Sequence, residues 1–267
     1  MMKLTKIPGG SQARRKRRGR QWAAGTALLL LTVLSLVYIR FDAAEFLLGI
    51  PTFLRFLFSD FLPPDPTNLQ SYLKPVADTF IYAVIATFCS SLLGVCLALL
   101  MARTTTPHPL VRTVLRGLIS FLRNIPFLAW ASLLVVIFGV GTTAGLIALI
   151  VFGCGFLARL YAESIEELDQ DSMEALESCG ATYGQRIKHA IIPQFLPAFY
   201  SWTLFMFEIN IRASAVLGLV GAGGIGALIK QTMDLFQYGK TSMVIAIMVA
   251  MILMVELMTN RIRRRLI

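Results

Sequence analysis

Residues 124–158, NIPFLAWASLLVVIFGVGTTAGLIALIVFGCGFLA, run for 35 positions without a charged side chain. A helix crosses the ~30 Å hydrocarbon core of a bilayer in ~20 residues, so this stretch is too long for one span and long enough for two. Gly139-Val140-Gly141 supplies the turn between them. Working outward, further uncharged runs occupy residues 22–39, 79–102 and 190–207, and 241–255 is apolar up to Glu256. Only helices or closed barrels satisfy the backbone in lipid, and continuous apolar runs are helical in kind. The sequence predicts an all-α, polytopic membrane helical bundle with about six transmembrane helices. A composition of 56% apolar and 15% charged residues over 267 positions leaves too little charge to cover a soluble surface.

The net charge of +10 raises nucleic acid as a partner, but its distribution argues against that. Eight of the 25 basic residues precede Trp22, among them Arg14, Arg15, Lys16, Arg17 and Arg18, and four more close the chain at Arg261, Arg263, Arg264 and Arg265. Basic residues beside spans hold loops in the cytoplasm and attract anionic lipid. With the N-terminus inside, spans near 22–39, 76–101, 118–138, 143–160, 197–220 and 241–258 bring the C-terminus back inside. The expected protein is a multi-pass component of a bacterial inner membrane with both termini cytoplasmic. Its expected parts are a basic tail (1–21), a first span with an outer segment (22–75), a core (76–260) with a cytoplasmic loop at 161–192, and a second basic tail (261–267). In the outer segment Phe53, Leu54, Phe56, Leu57 and Phe58 surround Arg55, which suits a helix lying in the interface or a short re-entrant piece. The first apolar run exceeds a signal-peptide core and no small-x-small site follows it, so it is expected to be retained. The four cysteines show no metal-ligand spacing and read as packing residues.

Enzymatic chemistry finds no constellation. His108 and His189 sit in or beside loops without a metal or triad context, where solvated or helix-capping roles are the default. Gly221-Ala222-Gly223-Gly224-Ile225-Gly226 fits a dinucleotide string but lacks the preceding strand and the later acid that chemistry needs. Gly239-Lys240-Thr241 resembles the end of a phosphate-binding loop, yet Asp234 stands at its first glycine position. No cofactor is expected in this chain. Gly221, Gly223, Gly224 and Gly226 suit close helix packing or a flexible gate.

Two stretches carry ionisable residues in informative patterns. The loop 161–192 holds seven of the fifteen acids and reads as two short helices, broken at Gly180, with Pro193 opening the next span. Such a pair is either a docking knob for a soluble partner or an ordinary loop. Glu208 and Arg212 lie four apart and share a helix face. Ionisable groups in a membrane helix are expensive, and they face a pathway or each other. Asn210 adds amide donors, and Arg123-Asn124 before Pro126 offers a similar pair. An oxyanion pathway and a structural ion pair both fit.

Glu174-Ala175, Gly180 and Pro193 resemble the EAA loop of ABC importer permeases, with Leu176, Ala190 and Ile192 departing from its usual alanine, isoleucine and leucine. The string Glu208-Ile209-Asn210-Ile211-Arg212-Ala213-Ser214, continued by VLGLVGAGGIG to Gly226, is similar to the phosphonate-type branch of those permeases. The resemblance implies a type I ABC importer permease fold and a loop that seats in a cleft of an ATPase subunit. Glu174, Ala175, Gly180, Arg186 and Pro193 would be its coupling positions; Arg123, Asn124, Glu208, Asn210, Arg212 and Ser214 would line the pathway. It further implies a second copy of the chain, two cytoplasmic ATPase subunits that bind the ATP and Mg, and a periplasmic or lipid-anchored binding protein. The implied cargo is phosphonate or a related phosphorus oxyanion. A permease for another solute such as methionine, and an autonomous channel or secondary transporter, are the rival readings.

Overall fold

The structure is a computed structural model and describes residues 10–67, 69–221 and 223–266; the first residues of the basic tail, Asn68, Ala222 of the glycine string and Ile267 lie outside them. The chain divides into two compact units, Met1–Leu57 and Phe58–Ile267. The division falls well before the boundary at 75 expected from hydropathy.

In the first unit, α1 (Gly10–Tyr38) carries an apolar window, Gly19–Tyr38, that is open along its length. A turn through Arg40, at φ +53°, leads to α2 (Ala43–Phe56). Asp42 caps α2 by accepting from the Ala44 and Glu45 N–H groups at 2.9 and 3.1 Å, which satisfies two of the donors every helix start leaves unpaired. The outer segment is thus helical, as expected, with apolar side chains exposed.

The second unit is a bundle. It runs α3 (Leu69–Met101), α4 (Pro109–Asn124), α5 (Phe127–Phe138), α6 (Thr142–Glu166), α7 (Asp171–Ser178), α8 (Tyr183–Arg186), α9 (Ile192–Leu219), α10 (Gly224–Asp234) and α11 (Tyr238–Leu266). The most extensive pairing is α3 against α6. A Cβ on Gly153 would lie 2.8 Å from the Ser90 hydroxyl oxygen, and one on Gly94 would lie 3.1 Å from Leu157 Cβ. Lipid tails are as apolar as leucine, so association depends on such close backbone approach rather than on hydrophobicity alone. Around this seam pack Ala98, Ile119, Leu157, Tyr161, Ile165, Phe195 and Met206. The Tyr161 and Thr203 hydroxyls pair at 2.6 Å, so neither polar group is left bare between α6 and α9.

Among the described residues five helices are long and apolar enough to cross a membrane, and α4 with α5 makes a sixth only as a broken span bent by 88°. The span expected at 118–138 thus takes its residues from two helices, α4 and α5. Ile125 precedes Pro126 and is extended (φ −85°, ψ 121°), because the proline ring disfavours helical backbone in the residue before it. His108 accepts from the Leu110 N–H at 3.2 Å and starts α4, the capping role expected of it. The other helices overrun their apolar stretches: α3 begins at Leu69 and carries Pro75 inside, α6 continues to Glu166, and α11 passes Glu256 to reach the basic tail.

Candidate functional site

Three groups of residues singled out by the sequence take up separate places. The first is the charged loop. α7 ends at Gly180, whose φ of +76° only glycine adopts cheaply. The Ala181 N–H donates to the Leu176 carbonyl at 3.0 Å, and the Gly180 N–H donates to that of Glu177 at 2.9 Å. These two bonds close the helix with a Schellman motif. Gln185 then reaches back to accept from the Thr182 N–H at 2.8 Å and starts the next helix. Met173 packs toward the core while Glu174, Ala175 and Gly180 are exposed.

The second short helix is not separate. α8 passes through a wider π-turn at Ile187–Ile191 into α9, so that Tyr183–Gly218 forms one 36-residue rod. Pro193 follows the π-turn directly; it supplies no N–H and its ring crowds the preceding turn. At 1.5 Å per residue the rod is ~54 Å long, far more than a ~30 Å hydrocarbon core. One end of the rod carries the charged loop and α7. Tyr183 anchors that end by donating to the Thr105 carbonyl at 2.6 Å. Arg186, expected to reach a partner, pairs within this chain with Glu177 at 2.8 Å and is 22% exposed. It braces α7 against the rod across the Gly180 turn.

The second group is the charge network of α9 and α11. Glu208 is 9% exposed; its Oε1 accepts from Thr259 Oγ1 at 2.5 Å and from Arg263 at 3.3 Å. Arg212 lies 4.0 Å from Glu208 and 3.6 Å from Glu256, beyond hydrogen-bonding distance of either, and its side chain is 48% exposed. Glu208 is therefore committed to α11, while the Arg212 side chain is half-exposed. The contacts to Thr259 and Arg263 also set the level of the network. It lies beside the last turns of α11, next to the basic tail, where water and headgroups lower the cost of charge.

Asn210 and Ser214, expected in the pathway, are both buried in this chain. Asn210 is fully buried and donates to Thr87 Oγ1 of α3 at 2.8 Å. Ser214 is buried and donates to the Ile211 carbonyl at 2.8 Å. Arg123 and Asn124 are exposed at the α4–α5 break, with the Arg123 guanidinium 6.0 Å from the Phe156 ring centre. An apolar groove of about 770 Å³ between α3 and α9, lined by Phe80, Phe88, Phe199 and Phe207, carries no charged side chain among the described residues and suits acyl chains or protein, not an oxyanion.

The third group is the glycine string, which forms the α9–α10 turn. Gly221, Gly223 and Gly224 have φ of +93°, +82° and +68°, and Thr79 of α3 accepts the Ile225 N–H at 2.8 Å. A Cβ on Gly226 would fall 1.8 Å from the Ala215 carbonyl oxygen, so α10 folds back against α9 in backbone contact. Close packing accounts for this glycine.

Sequence reasoning missed Thr87, Glu256, Thr259 and Arg263. Glu256 carried a signal, as a lone acid in an apolar helix, but the apolar run was ended there. Partners such as Thr259 and Arg263 lie 51 and 55 residues from Glu208 and leave no local mark.

The family model for binding-protein-dependent transport system inner membrane components matches residues 94–267. The phosphite transport system permease protein PtxC of Stutzerimonas stutzeri is 33% identical over 84% of this chain and 81% of its own length. The phosphate-import permease protein PhnE of Mycolicibacterium smegmatis is 34% identical over 77% of this chain, which corresponds to 39% of that longer protein. Among solved structures, an inward-facing form of the MetNI methionine ABC transporter superposes with a TM-score of 0.64 at 23% identity, covering 73% of this chain and 96% of that one.

Proposed function

Because the chain belongs to the family of binding-protein-dependent transport system inner membrane components and has the type I ABC importer permease fold, we propose that it is the membrane-spanning subunit of an ATP-driven importer for a phosphorus oxyanion. Phosphite, phosphonate and phosphate esters share the tetrahedral, multiply accepting anion that an arginine fork recognises in bidentate fashion. The observation that carries this reading is Arg212, an arginine half-exposed on an apolar helical bundle that donates no hydrogen bond to either carboxylate beside it. The names of the relatives agree with that chemistry.

Two copies would enclose the pathway, with Arg212 facing it and Arg123 and Asn124 as a further anion contact at the α4–α5 break. Each copy would dock an ATPase subunit on the exposed face of α7 through Glu174 and Ala175. The ATPases bind ATP and Mg; this chain transmits their closure. Motion of α7 has a rigid route inward, because the Glu177–Arg186 pair ties it to the rod that carries Glu208 and Arg212. A binding protein would deliver the anion on the opposite side, and closure and reopening of the ATPase pair would alternate access. Both basic tails would lie in the cytoplasm.

The test is ATPase activity of the chain reconstituted with its ATPase partner in liposomes. Binding protein loaded with phosphite or methylphosphonate should stimulate it, and substitution of Glu174 should remove the stimulation. Failure to associate with any ATPase would sink the importer; stimulation by loaded methionine-binding protein alone would sink the oxyanion.

A further inference from the structure

Resting on the oxyanion reading, we propose that Glu256 is a resident counter-anion of Arg212: it occupies the guanidinium until a substrate oxyanion displaces it, and so sets how tightly the pathway holds its cargo. Two carboxylates flank Arg212, but they are not equivalent. Glu208 is buried, and the Thr259 hydroxyl and the Arg263 guanidinium already hold its Oε1. That bonding fixes Glu208 and offsets its charge. Glu256 is 44% exposed, and among the described residues its carboxylate makes one ion pair, to Arg212 at 3.6 Å. It is the partner that can leave.

The cluster holds two carboxylates and two guanidinium groups and is neutral as it stands. Arg263 balances Glu208, which leaves Arg212 and Glu256 as the exchangeable pair. Carboxylate and phosphorus oxyanion compete for the same planar fork of N–H donors. Arrival of an anion releases Glu256 toward solvent, which its 44% exposure permits, and return of Glu256 expels the anion. A pathway needs binding favourable enough to enter but weak enough to leave. An arginine without a resident anion would hold its cargo; Glu256 supplies the means of letting go.

The test uses the purified permease–ATPase complex without binding protein, titrated with methylphosphonate and followed by broadening of its phosphorus resonance. Both groups of the pair are half-exposed, so the effect should be modest: Glu256→Gln should bind the anion roughly fivefold more tightly than the parent, and Arg212→Gln should abolish binding. In proteoliposomes with saturating loaded binding protein, Glu256→Gln should turn over more slowly, and Glu256→Asp should recover most of the rate. Glu256→Ser, a second neutral variant, must shift affinity in the same direction. Unchanged or weaker affinity in both neutral variants, with uptake by the parent intact, would overturn the counter-anion role and leave the importer reading standing. Binding that survives Arg212→Gln would overturn it as well. Absence of both methylphosphonate binding and oxyanion uptake in the parent complex would remove the oxyanion reading itself, and this inference with it.

Discussion

The charged loop at α7 and the charge network between α9 and α11 have similar residue types and opposite architectures. In the loop the bonds that form the turn close within five residues: Gly180 to Glu177, Ala181 to Leu176, Thr182 to Gln185. Its side chains Glu174 and Ala175 are left outward. In the network the bonds join residues more than fifty positions apart, and the acid at its centre, Glu208, is turned inward. A surface that must be recognised by another protein can be built from local turn chemistry, since its shape is all the partner reads. A charge buried within a helical bundle must find its partner on another helix, since burial removes it from water.

The sharpest way to break this comparison is at Gly180. Proline needs φ near −65°, about 140° from the +76° observed, and it removes the N–H that bonds Glu177. Gly180→Pro should insert and fold in the membrane yet lose uptake entirely; normal uptake would show that the loop's shape is not what transmits ATPase closure. Next in size is Arg212→Ala, which should lower uptake about tenfold or more, the cost of a charge-assisted contact of ~1.5–3 kcal/mol. The yield of assembled complex should stay unchanged, and an equal loss of assembly would make Arg212 a structural residue only. Asn210→Ala separates the two roles from the other side. It removes the amide donor to the Thr87 hydroxyl, which keeps its own bond to the Ala83 carbonyl, and should cost ~0.5–1.5 kcal/mol of stability, read as a lower Tm of the detergent-solubilised complex, with uptake per folded complex retained.

The sequence made the helices legible because apolar runs report the lipid-facing stretch directly. It misplaced their ends for the same reason. Hydropathy stops at the first charged residue, whereas α11 continues past Glu256 to Arg263 and α9 reaches back through Lys188 to Tyr183. The α4–α5 break was written in Pro126 but lay inside an uncharged run that a hydropathy reading treats as continuous. In the site, Gly180 was recognisable from its neighbours, and the i, i+4 spacing put Glu208 near Arg212. The same spacing gave Asn210 the wrong surroundings: two residues from each, it turns ~160° away around the helix and bonds α3 instead.

Arg186 offers the smallest effect and the finest distinction. The EAA resemblance made it a contact to the ATPase, whereas the structure pairs it with Glu177, which is 67% exposed. An exposed pair of this kind contributes ~0.2–1 kcal/mol. If the pair only braces α7, Glu177→Gln and Arg186→Gln should weaken ATPase association equally and slightly. The double variant should then be no worse than either, because the second substitution removes a partner already lost. If Arg186 also touches the ATPase, Arg186→Gln should exceed Glu177→Gln, and the double variant should follow the arginine. Association measured by surface-immobilised ATPase against the four permeases reads the difference directly, and a brace alone predicts that three of the four curves coincide.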